Sequence, residues 1–242
     1  MRLFNIKRFQ DQLLLNVLAK DGKNAADLLE ASDGFCVPGI AAADFATIEE
    51  AVETVKSIKQ SSPVVSIGLG GGGKFDEWKR VVDIAVRSNP EHINQPLERA
   101  LFAKGFLAAK QYFPIITALI SPSGEVGFVK IPTGKKIKVE PLLELAAACG
   151  VESIKVMPMK GLDHLEELLF IAKEAAKRGI RAIEPAGGIK VHHLPVLYKE
   201  IRKINIELFM PHVFGDVLQG KGESNPSRVK EIFLQLKGVI SS

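Results

Sequence analysis

The chain is short of cysteine and of the larger aromatics, with two Cys, one Trp and two Tyr in 242 residues. Cys36 and Cys149 have no metal-ligand or redox spacing. That excludes a disulfide framework or a cysteine zinc module and suits a reducing cytoplasm. No apolar run reaches the length of a membrane span, and Met1-Arg2-Leu3-Phe4-Asn5-Ile6-Lys7-Arg8-Phe9 lacks the apolar stretch and cleavage site of a signal peptide. The expected protein is cytoplasmic, with no membrane partner. The five histidines are dispersed, only His192 and His193 being adjacent, so no metal site is expected and no Ser-His-Asp or Cys-His arrangement can be built. Charge of one sign is also scarce. The net charge is +4, and basic residues such as Lys173, Lys177, Lys199, Arg202 and Lys203 interleave with Glu166, Glu167 and Glu174. This is the pattern of solvated helix faces, and no nucleic-acid partner is expected.

What the chain does contain is a regular alternation. Short apolar runs bounded by Gly, Pro or Asp alternate with longer helix-periodic segments, the signature of a parallel α/β fold. Eight strand candidates begin near Leu13, Gly34, Val64, His92, Ile115, Ser153, Arg181 and Ile206. The clearest helices are expected over Asp44 to Gln60, Phe75 to Arg87, Asp163 to Arg178 and Pro226 to Lys237. Eight repeats suit a closed (β/α)8 TIM barrel, and 46% hydrophobic residues without a compositional break suit a single domain over 1–242. One departure interrupts the rhythm. Residues 121–136, with turn signals at Pro122 and Gly124, read as a hairpin insertion after the fifth strand, rising over the catalytic face as a lid, a subunit contact or a structural flap.

The sixth strand carries a lysine in an apolar setting, Ser153-Ile154-Lys155-Val156-Met157-Pro158-Met159. Alternation puts Ile154 and Val156 on one face and Lys155 on the other. A buried ammonium costs several kcal/mol unless paired or deprotonated. On the next strand, Arg181-Ala182-Ile183-Glu184, Glu184 is expected to face the same way as Lys155. Two readings are open: a buried Lys–Glu ion pair, or an amine nucleophile with a carboxylate that orients it and moves protons. Lys130 on the insertion and Lys160 beyond the strand are rival amines.

Two glycine clusters follow strands, where a barrel offers backbone amides to ligands: Gly68-Leu69-Gly70-Gly71-Gly72-Gly73 and Gly187-Gly188. Loops after the seventh and eighth strands commonly hold phosphate in barrels, so Gly187 and Gly188 are the stronger candidates and Gly70 the weaker. Simple tight turns are the other reading of both. Neither matches a Rossmann or Walker pattern, and no nucleotide cofactor is expected. Asn16, Lys20, His92, Asn94, Gln95 and His212 sit on strands or at their ends, where they either touch substrate or satisfy backbone groups.

The lysine strand resembles the Schiff-base strand of 2-keto-3-deoxy-6-phosphogluconate (KDPG) aldolases, Lys-Phe-Phe-Pro-Ala, and Glu184-Pro185-Ala186-Gly187-Gly188-Ile189 resembles their phosphate-binding Pro-Thr-Gly-Gly-Ile. More closely, the chain resembles the KDGP/oxo-acid aldolase branch found in bacterial glucosaminate catabolism. The shared segments are Leu15-Asn16-Val17-Leu18-Ala19, Ser66-Ile67-Gly68-Leu69-Gly70, His92-Ile93-Asn94-Gln95, Ser121-Pro122-Ser123-Gly124, Val129-Lys130-Ile131, Ser153-Ile154-Lys155, Gly161-Leu162-Asp163-His164 and Pro211-His212-Val213. They span nearly the whole chain. The departures are Val156 and Met157 in place of aromatics, Ala186 in place of Thr, and Phe214-Gly215-Asp216 in place of a Tyr-Ser-Ser stretch.

The resemblance implies a cofactor-free class I aldolase in a TIM barrel that self-associates as a homo-oligomer. Lys155 would attack the ketone of a phosphorylated 2-keto acid, Glu184 would remove the C4 hydroxyl proton, and pyruvate and glyceraldehyde 3-phosphate would leave. Gly187, Gly188, His212, Gly70, Asn94, Gln95 and Lys130 would bind the substrate or its phosphate. Alternatives are a 4-hydroxy-2-oxoglutarate aldolase using the same lysine, and a phosphosugar isomerase or binding barrel without imine chemistry.

Overall fold

The computed structural model describes residues 3–131 and 134–240, the side chains of residues 239 and 240 apart. Eight parallel strands carry the fold: β1 (Leu15–Leu18), β2 (Cys36–Ala41), β3 (Val65–Gly68), β4 (Glu91–Pro96), β5 (Ile115–Pro122), β8 (Ser153–Val156), β9 (Ala182–Pro185) and β10 (Leu208–Phe209). They lie side by side in that order. Parallel bridges Leu13 to Phe209 and Asn16 to His212 join the last strand to the first and close the ring. Between β5 and β8 lie two short strands, β6 (Phe128–Lys130) and β7 (Lys136–Lys138).

Helices α1 (Gly22–Ala31), α2 (Ile48–Lys59), α3 (Trp78–Ser88), α4 (Leu97–Ala109), α5 (Val139–Ala148), α6 (Leu165–Lys177), α7 (Leu194–Ile201) and α8 (Pro226–Ile240) follow the strands. Local chemistry sets their ends. In α2, Thr47 and Glu50 form a reciprocal capping box, and Ala51, Val52, Val55 and Ile58 recur at helical spacing on its buried face. Residues 42–44 form a separate 3-10 turn, so α2 starts at Ile48, later than the expected Asp44. Phe75–Glu77 is likewise a 3-10 turn ahead of α3, which stops where Asn89 turns left-handed at φ 53°.

Two apolar cores result from strand alternation. Outward-facing Val17, Ile40, Ile67, Ile93, Ala118, Ile154 and Ile183 pack under the helices with residues such as Leu28, Val55 and Leu168. Inside the ring, Leu14, Val37, Val64, Ile115, Ala182, Leu208 and Met210 form a floor, plugged from below by Leu3 and Phe4 of the first 3-10 turn. Each large side chain so buried contributes roughly 1.5–3 kcal/mol. Above this floor the interior becomes polar.

The segment after β5 folds back on it. Ser121 and Pro122 pair antiparallel with Lys130 and Val129, and β6 pairs antiparallel with β7. Glu167 of α6 anchors the first turn by accepting the Ser123 N–H at 2.7 Å and the Gly124 N–H at 3.1 Å. Of the expected 121–136 insertion, Pro132 and Thr133 lie outside the described residues. Among the described residues, no helix is long and apolar enough to cross a membrane.

Candidate active site

The polar layer is built from inward side chains of neighbouring strands, two each from β4 and β8 and one each from β3, β5 and β9. In-register pairing places Ser66 beside His92, Asn94 beside Thr117, Thr117 beside Ser153 and Lys155 beside Glu184. Glu184 is wholly buried at its centre. Its Oε1 accepts the hydroxyls of Thr117 and Ser153, each at 2.6 Å, and lies 3.0 Å from His92 Nε2. Its Oε2 lies 2.8 Å from His212 Nε2. The other nitrogen of His212, Nδ1, lies 3.0 Å from Lys155 Nζ. The lysine therefore reaches the imidazole, and the imidazole reaches the carboxylate.

Charges sort themselves along this line. Burial pushes the Glu184 carboxyl up, but the His92 and His212 rings outweigh it and hold the group well below the usual carboxylate range. An ionised carboxylate only accepts, so His212 Nε2 carries the proton and Nδ1 is left to accept from the lysine. Burial, reinforced by the Lys155 charge, pushes the His212 imidazole down to about 3, so the resting ring is neutral. Burial also lowers the Lys155 amine from 10.5 to about 8, with Glu184 partly opposing. An appreciable fraction of such a lysine is free amine near neutral pH.

Lys155 and His212 form the floor of a cavity of about 510 Å³ at the C-terminal end of the barrel. Asn94, Leu119, Gly70–Gly73, Gly187 and Gly188 line its walls, and Asp44, Lys190 and Asp216 are also among its lining residues. Asn94 donates through Nδ2 to the Ile67 carbonyl at 3.2 Å, which fixes the amide because a carbonyl only accepts. Its Oδ1 is buried and has no partner among the described residues. This leaves an unspent acceptor on a residue that lines the cavity.

Gly187 and Gly188 hold positive φ, +85° and +80°, and a Cβ at Gly187 would come within 2.9 Å of the Pro158 Cα. Only glycine fits this loop where it passes the end of β8. No protein acceptor faces their N–H groups among the described residues, so the amides are free for a ligand. Nearby, Asp216 accepts the Val191 N–H at 2.8 Å.

The expected site residues therefore divide. Lys155, His212, Asn94, Gly70, Gly187 and Gly188 share one cavity. Glu184 faces inward as expected and pairs in register with Lys155. However, His212 stands between them and four donors enclose the carboxylate, so it does not reach the cavity directly. Gln95 follows Asn94 on β4 and points the other way, donating to the Trp78 carbonyl at 3.1 Å. Lys130 sits on β6 and lines a neighbouring cavity with Pro96, Glu98 and Ile131. Thr117 and Ser153, which fix Glu184, escaped the sequence reading. For Ser153 a partial signal was present, because it shares alternation with Lys155 around Ile154 and so faces the same way as the lysine.

A profile of the KDGP aldolase family matches residues 9–221. A curated 2-dehydro-3-deoxy-phosphogluconate aldolase of Salmonella typhimurium is 32% identical over 245 residues, covering 97% of this chain and 99% of the relative. Among solved structures, a thiamine phosphate pyrophosphorylase from Pyrococcus furiosus superposes with a TM-score of 0.58 at 14% identity, covering 96% of this chain and 98% of that one. Phosphoribosyl anthranilate isomerase from Thermotoga maritima gives a TM-score of 0.60 at 12% identity, over 94% of this chain and 100% of that one. At such identities the structural likeness concerns the barrel alone.

Proposed function

Because the chain belongs to the KDGP aldolase family and is therefore a carbon–carbon lyase, we propose that it works through a Schiff base on Lys155 and cleaves 2-keto-3-deoxy-6-phosphogluconate to pyruvate and glyceraldehyde 3-phosphate. The observation that carries this reading is the buried Lys155 amine on the cavity floor, bonded to a neutral imidazole. A lysine paired directly with a carboxylate would be held as ammonium. This one is eased towards the free amine that attacks a ketone.

The amine adds to the C2 ketone, and loss of water gives an iminium. That cation draws electrons from the C3–C4 bond as the C4 hydroxyl loses its proton, so the aldehyde leaves and a pyruvate enamine remains. Protonation at C3 and hydrolysis release pyruvate. Asn94 Oδ1 accepts a substrate hydroxyl, satisfying its own orphan lone pairs. The amides of Gly187 and Gly188, with Lys190 nearby, receive the phosphate. The reading places the enzyme in the glucosaminate-catabolism branch and in the cytoplasm, in keeping with its two unpaired cysteines.

A second reading is favoured by one contact. With the Asp216 carboxylate already on the Val191 N–H, a less charged distal group is easier to accommodate there, as in a 4-hydroxy-2-oxoglutarate. Borohydride reduction with pyruvate, followed by peptide mapping, tests the Schiff base. An adduct on Lys155 supports it, and an adduct on Lys130 or Lys160, or none, overturns the assignment. Comparing kcat/KM for the phosphorylated and dicarboxylate substrates separates the two readings.

A further inference from the structure

Glu184 is the residue a sequence reading selects for proton transfer, yet it has no free oxygen to offer. Both oxygens are engaged by His92, Thr117, Ser153 and His212, and the group is 0% exposed. Among the described residues, the acids that do line the cavity are Asp44 and Asp216. Both belong to the loops beyond the strands rather than to the barrel interior, and Asp216 is engaged by Val191. The basic atom within hydrogen-bond reach of the reacting nitrogen is His212 Nδ1, at 3.0 Å.

We propose, resting on the Schiff-base reading, that His212 is the catalytic base and acid of the reaction, and that Glu184 is a positioning residue acting through it. Nδ1 takes the proton released as the lysine becomes a nucleophile and returns it to the carbinolamine hydroxyl, which leaves as water and gives the iminium and a neutral ring. At the iminium stage it takes the C4 hydroxyl proton: the O–H bond breaks, the C4–O bond becomes a carbonyl, the C3–C4 pair moves to form the enamine, and the nitrogen loses its charge. The imidazolium then gives that proton to C3 of the enamine, which restores the iminium and the neutral ring. Water hydrolyses the iminium and frees the amine.

The electrostatics fit this cycle. One positive charge alternates between Lys155 and His212, and both positions face the same fixed carboxylate. Lysine cation and imidazolium never coexist, because the charge that adds to burial in keeping the resting ring neutral is discharged on Lys155 as the ring accepts the proton. Glu184 keeps Nε2 protonated throughout, so Nδ1 is always the working atom. Thr117, Ser153 and His92 fix Glu184 so that the ring does not turn.

The test separates imine formation from proton transfer. The wild-type enzyme is incubated with pyruvate in deuterium oxide, exchange of the methyl hydrogens is followed by NMR, and borohydride trapping is run in parallel. In His212→Gln, the Lys155 adduct is expected to persist while exchange and cleavage both fall about 10²- to 10⁴-fold. Glu184→Gln should lower exchange less and change its pH profile. A His212→Gln enzyme that traps pyruvate and still exchanges at the wild-type rate overturns the proposal. Absence of trapping in the wild type removes the Schiff-base reading and this proposal with it. Should the variant not fold, nitrogen NMR of the wild-type histidines decides: an Nε2–H tautomer for His212 supports the role, and an Nδ1–H tautomer overturns it.

Discussion

The carboxylate of Asp216 accepts the backbone N–H of Val191 at 2.8 Å, so the turn that follows the Gly187-Gly188 loop already holds an anion. A phosphate bound to the same loop feels this charge. Replacing Asp216 with Asn keeps an oxygen for the N–H and removes the charge. Inhibition by inorganic phosphate is expected to tighten about tenfold, equivalent to roughly 1.4 kcal/mol. An unchanged inhibition constant would place the phosphate elsewhere in the cavity.

On the proposed Schiff-base mechanism, acidity at Lys155 sets the pH response of the first step. Addition to the ketone needs the free amine, so kcat/KM should rise with pH and level off above about 8. Single-turnover rates of imine formation across pH give the same limb. A limb at the ordinary lysine value would mean that burial does not tune the amine.

The same lysine weakens the fold at lower pH. Its folded-state value is depressed from 10.5 to about 8, so within that window the unfolded chain binds the extra proton and stability rises with pH. Below about 8 the cost of the buried charge is fully present. Relative to Lys155→Met, the wild type should gain up to about 3 kcal/mol on going from below pH 8 to 10.5, measured by urea unfolding.

Thr117→Val and Ser153→Ala each remove one donor from Glu184 Oε1. Each should destabilise the protein by about 1–3 kcal/mol, because the remaining buried oxygen loses a partner. Glu184 is held ionised by its neighbours, so its stabilising contribution is present above the unfolded carboxylate value and is lost as pH falls through the depressed folded value. The two variants should therefore unfold at higher pH than the wild type in acid titrations followed by circular dichroism.

Asn94→Leu keeps the branched shape of the side chain in a bulkier form and deletes the orphan acceptor together with the bond to the Ile67 carbonyl. For a substrate whose hydroxyl fills that position, kcat/KM should drop about 10- to 100-fold, the equivalent of one buried hydrogen bond. For an analogue lacking that hydroxyl it should change little. Equal losses on both substrates would assign Asn94 to packing.

Much of the scaffold was legible in the chain because its signals are local. The strand starts near Val64, Ile115, Ser153 and Arg181 fall within a residue of the observed ones, since apolar runs and turn residues mark them. Lys155 and Glu184 were recognisable because a charge in an apolar strand needs a reason. What lies between them was not, because His212 belongs to another strand end and only barrel closure at Asn16 brings it across. The orientation of Gln95 was obscured for a related reason: alternation says that Asn94 and Gln95 differ, but not which one faces the cavity. Thr117 and Ser153 carry no charge and look like ordinary strand residues until Glu184 is seen between them.

The greasy plug beneath the barrel has an engineering meaning of its own. Leu3, Phe4 and the ring of Leu14, Val37, Val64, Ile115 and Leu208 carry no titratable group and lie on the far side of the polar layer from the cavity. Thermostabilising substitutions can therefore be confined to that end of the molecule, leaving the electrostatic poise of the cavity undisturbed.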